Sequence, residues 1–165
     1  MLTHSYLKEV LHYAPDTGVF TWLVKRNSRG GGVQPGTIAK NVSVHGYARI
    51  GIAKELFTAH RLAWFYVYGN WPKHQIDHIN RDRLDNRIAN LREATDAQSR
   101  QNTSLSKSNT SGVKGVTWDK TSQKWFAKIN CNYKQIPLGR FVDIKDATNA
   151  YAEAKKRLHT FSPEV

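Results

Sequence analysis

Asp77 and His78 stand side by side after the lead-in Gln75-Ile76, and Asn90 follows twelve residues after His78. A carboxylate, an imidazole and an amide at this spacing can serve phosphodiester hydrolysis. That reaction needs an activated water and charge neutralisation on the phosphate and the leaving oxygen. Histidine supplies a base near neutral pH with little tuning. A divalent cation supplies the neutralisation as a Lewis acid. A hard cation such as Mg2+ takes one or two protein oxygens and completes its shell with water and phosphate. Asp77 offers such an oxygen. Adjacent residues on a strand point to opposite faces. Asp77 and His78 therefore share one environment only where the strand twists or ends.

The elements that must hold these groups are readable around them. Ile76 and Ile79 flank the Asp-His pair and indicate a short strand. Arg81 to Asn86 is a polar loop, and Asn90-Leu-Arg-Glu-Ala94 is a return strand. Thr95-Asp-Ala-Gln98 is a capping-box pattern, in which the Thr and Gln side chains satisfy two orphan backbone donors. A helix is expected from there to about Asn102. Strand, strand and helix in this order make a ββα unit. Two more histidines have two readings each. His60, four residues before Trp64, is a hydrogen-bonded histidine at a strand–helix junction or a second active-site group. His74 and His78 on one strand face would make a two-histidine metal site; otherwise His74 belongs to a polar loop beside Lys73.

Upstream, Thr3 caps a short helix with Tyr6, Leu7, Val10 and Leu11 on one face. Pro15-Asp-Thr-Gly18 is turn chemistry, and Val19 to Val24 reads as a strand. Asn27 to Gly36, with Gly30 to Gly32 inside it, is a loop. Tyr47 to Ile52 and Leu56 to His60 pair as strands around a turn near Lys54. Arg61 to Tyr68 is a short buried helix ended by Gly69.

Downstream, Thr103 to Ser111 is a polar linker. Three strands are expected after it: Val113 to Trp118, Lys124 to Asn130 and Lys134 to Gly139. The middle one alternates, with Trp125, Ala127 and Ile129 on one face and Lys124, Phe126, Lys128 and Asn130 on the other. Pro137 puts the third strand at an edge. Ile144, Ala147, Tyr151, Ala154 and Leu158 form one apolar helical stripe, which should cover the apolar sheet face and leave the basic one open.

The net charge of +12 over 165 residues points to a polyanionic partner, nucleic acid first. Between 104 and 142 seven Lys and Arg face one acid, Asp119. The single Cys131 excludes a disulfide framework and a multi-cysteine zinc site. No apolar run reaches the length of a membrane span and no signal-peptide pattern opens the chain. The expectation is an intracellular soluble protein that touches nucleic acid, with no membrane partner and no small-molecule cofactor.

The segment from about His60 to Asn102 resembles the HNH endonucleases of homing and phage type. The resemblance implies a ββα-metal core using Mg2+ or Mn2+. Asp77 would bind the metal, His78 would activate water as general base, and Asn90 would fix the loop and the imidazole. Asn86 matches a structural loop asparagine. Where the family carries a further Asn or His metal ligand on the helix, this chain has Ser99, with Asn102 one turn along. Asn109 to Trp118, Lys124 to Ile129, Leu138 to Phe141 and Asp146 to Ala152 resemble the AP2 DNA-binding domain. That resemblance implies that Lys114, Thr117, Lys128, Asn130 and Gln135 face double-stranded DNA. The expected fold is α+β, with the nuclease region over 1–102, a linker over 103–111 and the AP2-like sheet over 112–165. The resemblances imply a metal-dependent DNA endonuclease, a monomer or a dimer, leaving 5′-phosphate and 3′-hydroxyl ends. The alternatives are a catalytically degenerate DNA-binding regulator, suggested by Ser99, and an RNA-binding protein.

Overall fold

The computed structural model describes residues 1–26, 32–159 and 161. Asn27 to Gly31, the first half of the expected glycine loop, lie outside the described residues. The fold is α+β with small antiparallel sheets, and its contacts gather into two compact units, Met1–Ala94 and Thr95–Val165.

The first unit opens with α1 (His4–Val10), whose N-cap Thr3 accepts from the Tyr6 N–H. Leu7 and Val10 are buried, while Tyr6 is 42 % exposed and does not join that face. Leu11 leaves the helix and begins β1 (Leu11–Ala14), which pairs with β2 (Val19–Trp22). The sequence reading missed β1 because its alternation was absorbed into the preceding helical pattern. A three-stranded sheet follows, in the order β3 (Asn41–Val42), β4 (Ala48–Ile52), β5 (Glu55–Thr58). Ala53 and Lys54 both have positive φ, 48° and 67°, and turn β4 into β5. Next comes α2 (Ala59–Tyr68), two residues longer at its start than expected. It ends at Gly69 with φ 75°, a left-handed cap. The last pair is β6 (Gln75–His78) and β7 (Leu91–Ala94). Asn90 sits in a one-turn 3-10 helix, Ile88–Asn90, that leads into β7.

One core runs through this unit. Leu7, Leu11, Tyr13, Phe20, Ile50 and Leu62 are buried together with Ile76 and Leu91. Full burial of each such side chain contributes roughly 1.5–3 kcal/mol. The core therefore ties β6 and β7 to the N-terminal elements.

In the second unit, α3 (Asp96–Gln101) carries the expected capping box of Thr95 and Gln98. The three-stranded antiparallel sheet has the order β10 (Lys134–Phe141), β9 (Lys124–Cys131), β8 (Val116–Asp119). Pro137 does lie on an edge strand, beside a register shift between Pro137 and Gly139. β8 starts three residues later than expected. Val113 to Gly115 are held in a turn instead, by Ser111 and Asn109 side chains that bond the Val113 carbonyl at 3.0 and 2.9 Å. The helix α4 (Ile144–Leu158) covers one sheet face, where Val116, Ala127, Ile129, Ala147, Tyr151 and Ala154 form a second core.

The β1–β2 turn makes one unusually close approach. Gly18 has φ +72°, and a Cβ there would collide with the backbone of Asn86 and Arg87. Gly18→Ala should therefore combine left-handed strain with a backbone clash and lower stability by about 2–4 kcal/mol. Urea unfolding measures it; a loss under about 0.5 kcal/mol would contradict this packing.

Candidate active site

The antiparallel register sets Asp77 opposite Arg92 and His78 opposite Leu91. Along β6 the burial alternates: Gln75 is exposed, Ile76 buried, Asp77 half-buried and His78 buried. His78 is the last residue of the strand, only 4 % exposed. On the other face Asp77 Oδ2 accepts from Arg92 Nε at 3.1 Å and from a terminal guanidinium nitrogen at 3.0 Å.

The amide that meets the imidazole is Asn86, at 3.3 Å between His78 Nε2 and Asn86 Oδ1. Asn86 Nδ2 donates to the Leu84 carbonyl at 3.1 Å, so its Oδ1 is the accepting end. Nε2 of neutral His78 then carries the proton, and Nδ1 carries the basic lone pair. Asn86 is itself buried and held from below, because the Tyr13 hydroxyl donates to its carbonyl at 2.7 Å. Burial pushes the Tyr13 phenol up, which keeps it a donor.

Asn90 acts on the loop. Its Oδ1 accepts from the Asn80 N–H at 3.0 Å, and its Nδ2 donates to Asn80 Oδ1 at 2.9 Å and to the Asp85 carbonyl at 2.8 Å. The imidazole contact expected of Asn90 is made by Asn86 instead. The reason is chain direction: Asn90 enters β7 level with Ile79, whose N–H bonds the Asn90 carbonyl at 2.9 Å, one residue past His78. Asn80 Nδ2 closes the ring onto Asp85 Oδ2 at 2.7 Å. The Arg87 guanidinium pairs with the Asp85 carboxylate and holds it well below the usual range, at about 2. Side-chain turns at Asn80 and Asp82 shape the rest of the loop.

Three rings gather at the buried side. His60, in the first turn of α2, lies edge-on to His78 with centroids 5.1 Å apart. Tyr47 lies 5.3 Å from His60 and 6.1 Å from His78. His60 Nε2 contacts Thr58 Oγ1 at 3.3 Å, and its buried Nδ1 has no hydrogen-bond partner among the described residues. His60 is thus both a junction histidine and a neighbour of the candidate base. His74 lies outside β6 and is exposed, with its N–H on Glu93, so it shares no face with buried His78. Among the described residues no three His, Cys, Asp or Glu side chains gather as a metal cluster.

Ser99 and Asn102 belong to the second unit, Ser99 half-buried on α3 and Asn102 buried at its C-cap. There, Thr117, Lys128, Asn130 and Gln135 share one sheet face with Phe126, since Thr117 and Phe126, and Asn130 and Gln135, are register partners. Lys114 precedes β8, and its ammonium donates to the Thr103 carbonyl and hydroxyl at 2.8 Å. The lysine expected to face DNA therefore ties down the start of the linker.

Comparison with known proteins follows this geometry. The family model described as HNH endonuclease matches residues 57–101. Protein 3.8 of Escherichia phage T7 is 36% identical over 101 residues, 61% of this chain and 83% of the phage protein. The chain belongs to the family of phage T7 Protein 3.8. It carries an HNH endonuclease domain. The solved HNH homing endonuclease I-HmuI, described for its DNA binding and cleavage, aligns over 86% of this chain and 77% of its own at 19% identity and TM-score 0.38. Within the HNH domain the matched span holds Asp77, His78, Asn86 and Asn90, while Tyr13, Gly18 and Tyr47 lie outside it. Sequence reasoning missed Tyr47 and Asn80. The spacing of Asn80, Asp82 and Asp85 was a usable signal for a side-chain-built loop; Tyr47 left none, because only the fold brings it near.

The buried imidazole makes a sharp pH prediction. Burial, with repulsion from His78 and Arg61, pushes His60 from its ordinary 6.5 down to about 3. The unfolded chain takes up a proton near 6.5 and the folded chain does not. The His60 contribution is therefore complete above 6.5 and is lost as pH falls toward 3, by up to about 1.4 kcal/mol per pH unit. His60→Phe should make the acid side of the stability profile shallower. Thermal melts across this range check it, and an unchanged slope would refute it.

Proposed function

We propose that the chain is a metal-dependent DNA endonuclease of HNH type, with His78 as general base. The observation that carries this is the buried His78 at the end of β6, its Nε2 on Asn86 Oδ1, inside the HNH match. His78 Nδ1 takes the proton of the attacking water. The water oxygen bonds to phosphorus as the P–O3′ bond breaks, and the departing O3′ takes a proton from solvent. The products are 5′-phosphate and 3′-hydroxyl ends. Asn86 keeps the imidazole in the working tautomer, and Asn90 fixes the loop that carries Asn86.

Asp77 is the residue that would hold Mg2+ or Mn2+. One half-buried carboxylate, oriented by Arg92, suits a hard cation that keeps water and phosphate in its shell. The bound ion would supply Lewis-acid neutralisation of the phosphate. Ser99 stands at the helix position where the family carries a further Asn or His. The second reading, a DNA-binding protein without cutting activity, rests on Ser99. Nicking of supercoiled plasmid with Mg2+ or Mn2+ separates the two. The chain should nick, EDTA should stop it, and His78→Ala should lower the rate by about 10²-fold or more while plasmid binding persists. A fully active His78→Ala would sink the nuclease assignment. Binding without nicking, restored by Ser99→Asn, would establish the second reading for the natural sequence.

The open sheet face of the second unit supports DNA targeting. Arg140 and Lys128 lie over the Phe126 ring at 5.1 and 6.0 Å, and Asn130 and Gln135 are exposed beside them. Arg140 is also paired to Asp119 at 2.9 Å. Lys128 is the better phosphate contact, since no carboxylate is paired to it among the described residues. Lys128→Ala should weaken duplex binding at all sequences and lower the slope of log affinity on log salt by about 1. Fluorescence anisotropy across a salt series measures that slope, and an unaltered value would exclude Lys128 from the contact.

A further inference from the structure

The loop between β6 and β7 holds three arginines, Arg81, Arg83 and Arg87, and Arg92 follows in β7. Arg87 is committed to Asp85 and Arg92 to Asp77. Arg83 is different. It forms no ion pair among the described residues, yet two contacts hold it in place. One terminal nitrogen donates to the His45 carbonyl at 2.7 Å. Its guanidinium carbon stands 4.8 Å from the centre of the Tyr47 ring. Its Cδ passes 4.0 Å from where a Cβ on Gly46 would be, and Gly46 has φ +79°. The turn between β3 and β4 is therefore a seat for this side chain.

The seat has a direction. The same Tyr47 ring lies 6.1 Å from His78. Arg83 thus stands one aromatic ring away from the candidate base, exposed to solvent, with its charge uncompensated by a carboxylate. Fixing a long side chain costs rotamer entropy, so an unpaired arginine held this way is preorganised for a ligand. A guanidinium with one N–H fixed to a carbonyl keeps further donors in its planar fork. That fork matches two oxygens of a phosphate.

We propose that Arg83, seated on Tyr47 and the His45 carbonyl, is a substrate-binding residue that takes the phosphate flanking the scissile bond. The proposal rests on the nuclease reading above. It gives the β3–β4 turn a functional role, as the platform that aims a cation along the substrate strand.

The test is nicking of supercoiled plasmid by the full chain in Mg2+, comparing the parent with Arg83→Gln and Arg83→Lys. Rates are taken over plasmid concentration and over salt, with thermal melts alongside. Arg83→Gln is expected to lower kcat/KM by about 10–100-fold, the usual loss for one charged hydrogen bond. It should also lower the salt slope by about 1. Arg83→Lys should recover part of the rate and the full slope, with melting temperatures near the parent's. Parental kcat/KM and slope in Arg83→Gln would overturn the proposal and leave the nuclease reading standing. Equal losses in both variants with a lowered melting temperature would make Arg83 a structural staple and overturn it too. A parent that binds plasmid and never nicks would overturn the nuclease reading, and this proposal with it.

Discussion

The site depends on one loop being unable to move. Between β6 and β7 the chain has no helix or sheet ladder to satisfy its backbone until Ile88. The Asn90 amide does that work from inside, bridging Asn80 and Asp85 within 3.0 Å. Unmade buried hydrogen bonds cost more than made ones contribute, so this amide ring holds by the penalty of opening it. Asn86 inherits its position from the ring, and the His78 imidazole inherits its tautomer from Asn86. The candidate base is thus oriented by two successive asparagines, one acting on the backbone and one on the ring nitrogen.

Electrostatics repeat the pattern of commitment. Asp85 is neutralised by Arg87, and Asp77 is steered by Arg92. The two buried imidazoles stay uncharged because their neighbourhood cannot solvate a proton: burial is the leading cause for both His60 and His78. The basic excess so evident in composition therefore lies outside the buried pocket. It appears on the open sheet face around Phe126 and at Arg83, where a polyanion can reach it.

Most local elements were legible in the sequence, because each carried its own signal. The capping box of Thr95 and Gln98 placed α3, the apolar stripe placed α4, and the alternation over Lys124–Asn130 placed β9. Asp77, His78 and Asn90 were singled out by their spacing, and Asn86 by the resemblance to HNH endonucleases. The division of labour between the two asparagines was not, because it depends on which residue lies level with His78 in a β6–β7 register. Tyr47 reaches the site from just before β4 and His60 from the first turn of α2, and only the fold brings the two together there. Lys114, expected on the DNA-facing sheet, lies before β8 for a related reason: Gly115, with φ +76°, interrupts the strand pattern, and the lysine ammonium donates to Thr103.

The contact between Gly18 and the backbone of Asn86 and Arg87 also sets a limit on modularity. The stretch recognisable as HNH starts at residue 57, yet the floor of its loop is a turn near residue 18, and the donor to Asn86 is Tyr13. The recognisable motif is therefore not a transplantable unit. Moved into another scaffold without the first hairpin, it would carry the reactive groups and leave behind the surface against which they are shaped.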